Sequence, residues 1–378
     1  MSVFVARPKR DIKESVRAIF HNYREDLDFS KGILLKPNIV FPMRPKSGQV
    51  TPPHMVRAVI EVLREAHPDI EIIIGEGTAA GTDPIENFKI SGYASMARKL
   101  GVTLLDFDQA DRVELQWKYG TLEIPQIVFD KTYISLPILK ASSAAVMSGA
   151  MKNQKGLLTP SMKKKFHRWG LHGPIAELSQ AVRPSITIMD GSSFFRGNVL
   201  IAGNNLYEMD KLVAELLDLG EPEYLKEAEA YESREADHRI EGYDLLQPKA
   251  IKRGKEAFKK FLGMRFWTSP RACSMCRMCL NHLLRLQVRE IGRSFPIYGK
   301  LAQYAVKGAD FVFGLRPQFE PKSRNVVCFG DCTKELAHEN GYLHIPGCPP
   351  TKEGILKHLC VSLHDEILAQ DLPRVRIK

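Results

Sequence analysis

Short apolar runs alternate with amphipathic stretches along most of the chain, and that alternation predicts its elements. Val3 to Ala6 reads as a first strand, and Asp11 to about Arg24 as an amphipathic helix with Asp11 near its N-cap. Gly32 to Asn38 is a buried strand that ends in polar residues. Thr51-Pro-Pro53 starts a helix running to about Ala66, with threonine as the cap and proline in the first turn. Ile70 to Ile74 is a further apolar run, ending in Gly75-Glu-Gly-Thr78. A helix carrying Tyr93, Met96, Ala97 and Leu100 then leads to a strand over Val102–Phe107. Strands and helices in this order are the signature of a parallel sheet with helices on both faces.

Val113–Trp117 and Leu122–Ile124 flank Tyr119-Gly120 and read as a hairpin added to that sheet. Lys131–Leu139 is the next strand, followed by small residues from Ala141 to Ala150 and a basic loop from Met151 to Gly156. Ser185–Met189 is a strand ending in Asp190-Gly191. Residues 204–245 are acidic and helical in pattern, whereas residues 248–300 are basic. That shift marks a domain boundary near 245: residues 1–245 form a Rossmann-like α/β domain and residues 246–378 a smaller, cysteine-rich α/β domain. In the second domain Phe311–Leu315, Val326–Phe329 and Tyr342–Ile345 read as strands, and Thr333–Asn340 and Thr351–Leu368 as helices. The expected fold class is therefore α/β, a doubly wound, mostly parallel sheet joined to a C-terminal α/β domain that carries a cysteine cluster.

Composition narrows the picture little. The chain is 44% hydrophobic and 26% charged, as in ordinary globular proteins. No run reaches the roughly 18 apolar residues of a membrane span. The first residues lack the ordered regions of a signal peptide, and seven cysteines are an odd number for a disulfide framework. A reducing cytoplasm is the expected compartment. The formal net charge of +10 suits an anionic small ligand or an acidic protein partner. Nucleic acid is disfavoured, because no recognition motif accompanies the charge.

The cysteines carry the most specific chemistry. None precedes Cys273, which opens a C-x2-C-x2-C run with Cys276 and Cys279. Thiolates at this spacing can converge on one metal centre, as in iron–sulfur sites. A ferredoxin run would add a fourth cysteine and a proline, but Leu280, Asn281, His282 and Leu283 follow here. The fourth ligand must come from elsewhere. Cys332 and Cys348 each follow a strand-like run, so parallel strands would bring both to one carboxyl edge. The expected centre is a [4Fe–4S] cluster on Cys276, Cys279, Cys332 and Cys348, with Cys273 able to replace either member of the triplet. Zinc is the alternative, since it also accepts four thiolates. Cys328 lies within a strand, and Cys360 in an amphipathic pattern beside Leu359 and Val361 suits core packing.

In the first domain, polar groups recur where strands end: Lys36 and Asn38, Glu76 and Thr78, Asp106 and Asp108, Lys140, Lys152 and Asn153, and Asp190. Carboxyl ends of strands in an open α/β sheet line one crevice. Lys36, Asn38, Lys152 and Asn153 are accordingly candidate ligands of a phosphate or carboxylate, and His167 and His172 candidate proton carriers. Lys163–Lys165 reads most simply as a solvated helix face. There is no Walker sequence, no dinucleotide fingerprint and no Gly-x-Ser-x-Gly elbow.

Several of these pieces occur together and in order: Leu35-Lys-Pro-Asn38, Gly75-Glu-Gly, Ser148-Gly-Ala-Met-Lys-Asn-Gln-Lys-Gly156, His167 with Gly170, Ile188-Met-Asp-Gly191, Gly197, Ala202-Gly203 and Asp210. As a set they resemble the family catalogued as domain of unknown function 362, across roughly residues 30–240. The resemblance implies a fold and, since members often carry iron–sulfur segments, a cluster. It does not imply a substrate. Separately, Ile345-Pro-Gly-Cys-Pro-Pro350 is similar to the cluster-binding Pro-Gly-Cys-Pro-Pro of small subunits in hydrogenases and quinone oxidoreductases, which implies Cys348 as an iron ligand. The expected function is an iron–sulfur redox protein or oxidoreductase acting on a small anionic substrate. The alternatives are a non-catalytic electron carrier or assembly factor docking an acidic redox partner, and a structural zinc or sensor cluster on a binding protein.

Overall fold

A computed structural model describes residues 3–8, 10–78, 83–142, 145–217, 221–232, 240–248, 260–261, 264–268, 307–313, 320–347 and 350. The chain forms two compact units, Met1–Ile251 and Lys252–Lys378.

The first unit is built on β1 (Val3–Ala6), β2 (Ile33–Pro37), β3 (Ile72–Glu76), β4 (Thr103–Asp106), β5 (Arg112–Trp117), β6 (Gly120–Pro125), β7 (Thr132–Leu136), β8 (Lys140–Ser142), β9 (Val146–Ser148), β10 (Ile186–Asp190), β11 (Leu200–Gly203) and β12 (Ile240–Glu241). Eight of these form one sheet in the order β12-β1-β11-β10-β7-β2-β3-β4. Every neighbouring pair in it is parallel except the two that β11 makes, with β1 and with β10. The sheet is thus large and mostly parallel, with β11 reversed in its midst. No apolar period distinguishes a reversed strand from a parallel one, so its direction is decided by the short connection from β10.

Helices cover both faces. They are α1 (Ile12–Asn22), α2 (Pro53–Ala66), α3 (Pro84–Ile90), α4 (Tyr93–Leu100), α5 (Ile127–Asp130), α6 (Ala150–Asn153), α7 (Pro160–Arg168), α8 (His172–Ala181), α9 (Leu206–Leu216) and α10 (Glu223–Glu229). Successive strand residues point to opposite faces. Ile33 and Leu35 therefore pack with Val16, Ile19, Val56, Val59 and Tyr93 of α1, α2 and α4. Leu34 between them packs with Phe166, Ile175, Met209 and Val213 of α7, α8 and α9. Truncating such a buried side chain to alanine costs about 2–5 kcal/mol. Asp11 caps α1 by accepting from Lys13 N (3.0 Å), and Thr159 caps α7 by accepting from Met162 N (3.2 Å), ahead of Pro160.

Two local expectations are corrected. Thr51 does not cap α2, whose N-cap is Pro52. Its hydroxyl instead accepts from Asn38 N (2.9 Å) and donates to Leu136 O (2.7 Å), tying the ends of β2 and β7 together. The β5–β6 hairpin forms a two-stranded sheet of its own rather than extending the main one. Its inner face, with Leu122 and Ile124, is buried in the same cluster as Phe166 and Leu171, so packing on a helical layer replaces strand pairing.

The second unit carries β13 (Lys260–Phe261), β14 (Met264–Thr268), β15 (Ala309–Phe313), β16 (Val326–Phe329) and β17 (Leu343–Ile345), adjacent in that order. β14 to β17 are parallel, and β13 runs antiparallel to β14. The helix Lys334–Asn340 follows β16 and buries Ala337 against Val312, Val326 and Cys328. Asp310, wholly buried, accepts from Arg265 Nε (2.7 Å), Trp267 Nε1 (2.8 Å) and the Lys322 and Ser323 amides (2.8 Å each). Among the described residues, no helix is long and apolar enough to cross a membrane.

Candidate functional site

From β2 the chain steps through β3 to β4 in one direction, whereas β7 and β10 return on the other side of β2. The order reverses between β2 and β7. A crevice opens at the carboxyl ends of strands at such a switch point, and there open α/β sheets bind ligands. Of the polar strand ends named from the sequence, Lys36, Asn38, Glu76, Lys140 and Asn153 are joined to one another at this point.

Its floor is a buried ion pair. Lys36 at the end of β2 lies 2.9 Å from Glu76 Oε1 at the end of β3, with the two side chains 0% and 2% exposed. Lys36 Nζ also donates to Glu76 Oε2 (3.1 Å), Asn153 Oδ1 (3.3 Å) and Pro37 O (3.1 Å). Glu76 accepts in addition from the amides of Ile39 and Gly77 (3.0 Å each). Burial pulls the Lys36 ammonium down, opposed by the Glu76 carboxylate beside it. Asn153, in α6, donates through Nδ2 to Ser135 Oγ (3.0 Å) on β7 and accepts from Asn38 Nδ2 (3.1 Å). Lys36, Asn38 and Asn153 thus form one network that spans the switch point and is saturated largely by its own members.

Three half-buried lysines border that floor. Lys140 Nζ donates to Asn38 Oδ1 (2.6 Å) and Gln49 O (2.7 Å). Lys152 Nζ donates to Ser142 Oγ (2.6 Å), and Lys163 Nζ to Thr78 O (2.6 Å). Burial and neighbouring Lys152 push Lys140 down to about 7; burial pushes Lys152 and Lys163 to about 8. Among the described residues no carboxylate lies in ion-pair distance of any of the three. Thr78 Oγ1 donates to Asp108 Oδ2 (3.0 Å), and Asp106 Oδ1 accepts from Asp108 N (2.9 Å). Asp190 Oδ1 accepts from Ser192 N (2.8 Å).

Two further residues shape the crevice. A Cβ on Gly156 would stand 2.1 Å from Glu76 Oε1 and 2.3 Å from Lys36 Nζ, so only glycine lets that backbone cross the ion pair. Asp210 of α9, wholly buried, holds the start of α6 by accepting from Ala150 N (2.7 Å) and Met151 N (3.1 Å), and from Tyr224 OH (3.1 Å). Burial raises its carboxyl to about 6 against the pull of those donors. In the sequence Asp210 is one member of the acidic 204–245 stretch and of the family pattern. Its signal was an acidic residue on the apolar stripe of Leu206, Met209 and Val213. Lys163 carried the opposite misreading: it leaves its basic neighbours and turns inward.

The candidate proton carriers stand on either side of the α7–α8 turn. His167 Nε2 is 3.5 Å from Lys155 Nζ, and its Nδ1 is buried without a hydrogen-bond partner. Burial, then Lys155 and Lys152, push this imidazole down to about 2, favouring its neutral form. His172 opens α8, with Nε2 3.2 Å from Glu223 Oε2 on α10. Cys273, Cys276, Cys279, Cys348 and Cys360 lie outside the described residues, and Cys332 is described through its backbone alone. Cys328 is buried within β16.

The fold defines an α/β protein with a cluster of lysines at the switch point of a mostly parallel sheet. Residues 33–214, which include Lys36, Glu76, Lys140, Lys152 and Asp210, match the family described as Domain of unknown function (DUF362), and this stretch of the chain belongs to it. The chain is also similar to a thylakoid-associated protein of Synechocystis sp., 25% identical over 209 residues that cover 50% of this chain and 63% of that relative. The match spans less than two thirds of the relative's length.

Proposed function

We propose that the crevice binds a small anionic substrate and that the C-terminal cysteines hold a [4Fe–4S] cluster, making the protein an iron–sulfur oxidoreductase. The observation that carries the substrate reading is the pair Lys140 and Lys152. Among the described residues both amino groups meet neutral oxygens only, and they border a deeper ion pair that is already satisfied. A carboxylate or phosphate bound there supplies the counter-charge that Lys152 lacks and raises its amino group toward the ordinary lysine range.

The cluster rests on the donor set and on the sheet of the second unit. Parallel β14, β16 and β17 end on one edge. Beyond β16 and β17 the chain is cross-linked: Gly330 N donates to Ile345 O (2.8 Å), Asp331 N to Gly347 O (3.3 Å) and Gly347 N to Asp331 Oδ1 (2.7 Å). Asp331 precedes Cys332 and Gly347 precedes Cys348, so this link supports the pairing of those two thiolates as ligands. The triplet begins shortly after Thr268, where β14 ends, and the remaining thiolates come from there. Such a cluster supplies one-electron transfer.

The test has two arms on anaerobically purified protein. Iron, acid-labile sulfide and zinc are counted, with paramagnetic resonance spectra before and after dithionite. About four irons and four sulfides with a signal on reduction support the cluster, and one zinc without sulfide overturns it. Calorimetry with phosphate and small carboxylates addresses the crevice: Lys152→Ala loses binding while keeping its iron. Unchanged binding would remove the anion site.

A further inference from the structure

The amino groups of Lys36 and Lys140 belong to one hydrogen-bonded cluster, joined through Asn153 and Asn38, but are partnered differently. Lys36 Nζ has four acceptor oxygens around it: both carboxylate oxygens of Glu76, Asn153 Oδ1 and Pro37 O. They saturate an ammonium, which has three N–H donors. Among the described residues Lys140 Nζ has two acceptors, Asn38 Oδ1 and Gln49 O. A neutral amine has two N–H donors and one lone pair. Two acceptors take up both donors and leave the lone pair in the remaining tetrahedral position.

The surroundings favour that neutral form. Burial, Lys152 and Lys36 all act to deprotonate Lys140, with Glu76 opposing, and the result is a pKa of about 7. A lysine desolvated beside another cation is a recognised route to an amine nucleophile. Lys152 has a different part. Its Nζ reaches Ser142 Oγ, two residues along β8 from Lys140, so both amino groups address the same face of that strand. At about 8, Lys152 is still mostly protonated at neutral pH and can hold an anionic group.

We infer that Lys140 is a nucleophile that condenses with an aldehyde or ketone bearing a carboxylate or phosphate, while Lys152 holds the anionic group. This deepens, and rests on, the anion-binding reading of the crevice. The Lys140 lone pair forms a bond to the carbonyl carbon, the carbonyl π pair moves to oxygen, and the oxygen takes up a proton to give a carbinolamine. Loss of water, with departure of the remaining N–H proton, leaves a carbon–nitrogen double bond. The step consumes one amine and one carbonyl, releases one water and needs no oxidant or reductant.

Glyoxylate and pyridoxal phosphate serve as carboxylate and phosphate probes, with acetaldehyde as the uncharged control. The full-length protein is incubated with each at pH 7 and treated with borohydride, which delivers hydride to the imine carbon and fixes a secondary amine. Peptide mass mapping then locates the adduct. Lys140 is expected to label about a hundredfold faster than exposed lysines with the anionic probes, because far more of it is unprotonated at pH 7. Its labelling rises through about pH 7 and then levels off. Which anionic probe labels faster tells carboxylate from phosphate; acetaldehyde labels Lys140 far more slowly than either. Lys140→Arg loses this adduct and no other. Adducts spread over exposed lysines, with none at Lys140, would overturn the inference. If phosphate binds by calorimetry in a Lys152-dependent way and no Lys140 adduct forms, the inference falls and the anion site stands. If neither occurs, both fall.

Discussion

Lys36 Nζ lies 2.9 Å from Glu76 Oε1 where β2 and β3 end, and both side chains are out of reach of water. A buried pair is weak evidence of stabilisation, because desolvation offsets most of the attraction. Losing one partner is another matter. Lys36→Met leaves a buried carboxylate without its cation, and is expected to cost about 3–5 kcal/mol in urea unfolding. Lys36→Met with Glu76→Gln removes both charges and should cost clearly less. Equal losses in the single and double variants would show that the pair is not coupled as the geometry requires.

Gly156→Ala tests the same point from the backbone. The added methyl meets Glu76 Oε1 and both Lys36 Nζ and Cε within 2.5 Å, and none of these atoms is free to withdraw. A loss of about 2 kcal/mol or more is expected, together with weaker phosphate binding. A variant of unchanged stability would mean that the 154–157 turn can move off the ion pair.

Asp210 gives a pH dependence of definite sign. Its carboxyl is raised from the ordinary 3.8 to about 6 in the folded protein. The folded state therefore holds a proton that the unfolded state has lost across that window, and stability falls as pH rises from 3.8 to about 6, then levels off. The full contribution is on the order of 3 kcal/mol. Asp210→Asn should flatten this slope in unfolding curves taken across the range. It should also cost stability at pH 7, because an amide cannot accept from both Ala150 N and Met151 N through oxygen. A slope that persists in the variant would assign the titration elsewhere.

The proposed cluster gives the cysteines different expected roles. Cys332→Ser and Cys348→Ser should each lower iron and sulfide content, the backbone link from Asp331 to Gly347 tying their neighbours together. Cys328→Ser should leave iron unchanged while lowering the melting temperature, since the side chain packs against Val312, Val326 and Ala337 inside the sheet. Iron loss in the Cys328 variant alone would reverse the assignment.

The apolar pattern by itself determined where most elements lie. β1, β2, β7, β10 and β16, and helices α1, α2 and α4, fall on the runs that predicted them, because hydrophobic period and capping are properties of neighbouring residues. The polar residues at strand ends were legible for the same reason. Tertiary structure alone decided that Glu76 pairs with Lys36, that Lys163 turns inward to Thr78 O, and that Thr51 ties β2 to β7 rather than capping α2. It also decided that β11 runs antiparallel and that β5–β6 stands apart from the main sheet. Each of these joins residues brought together only when the sheet closes. Their free energy depends on burial that no local window of sequence contains.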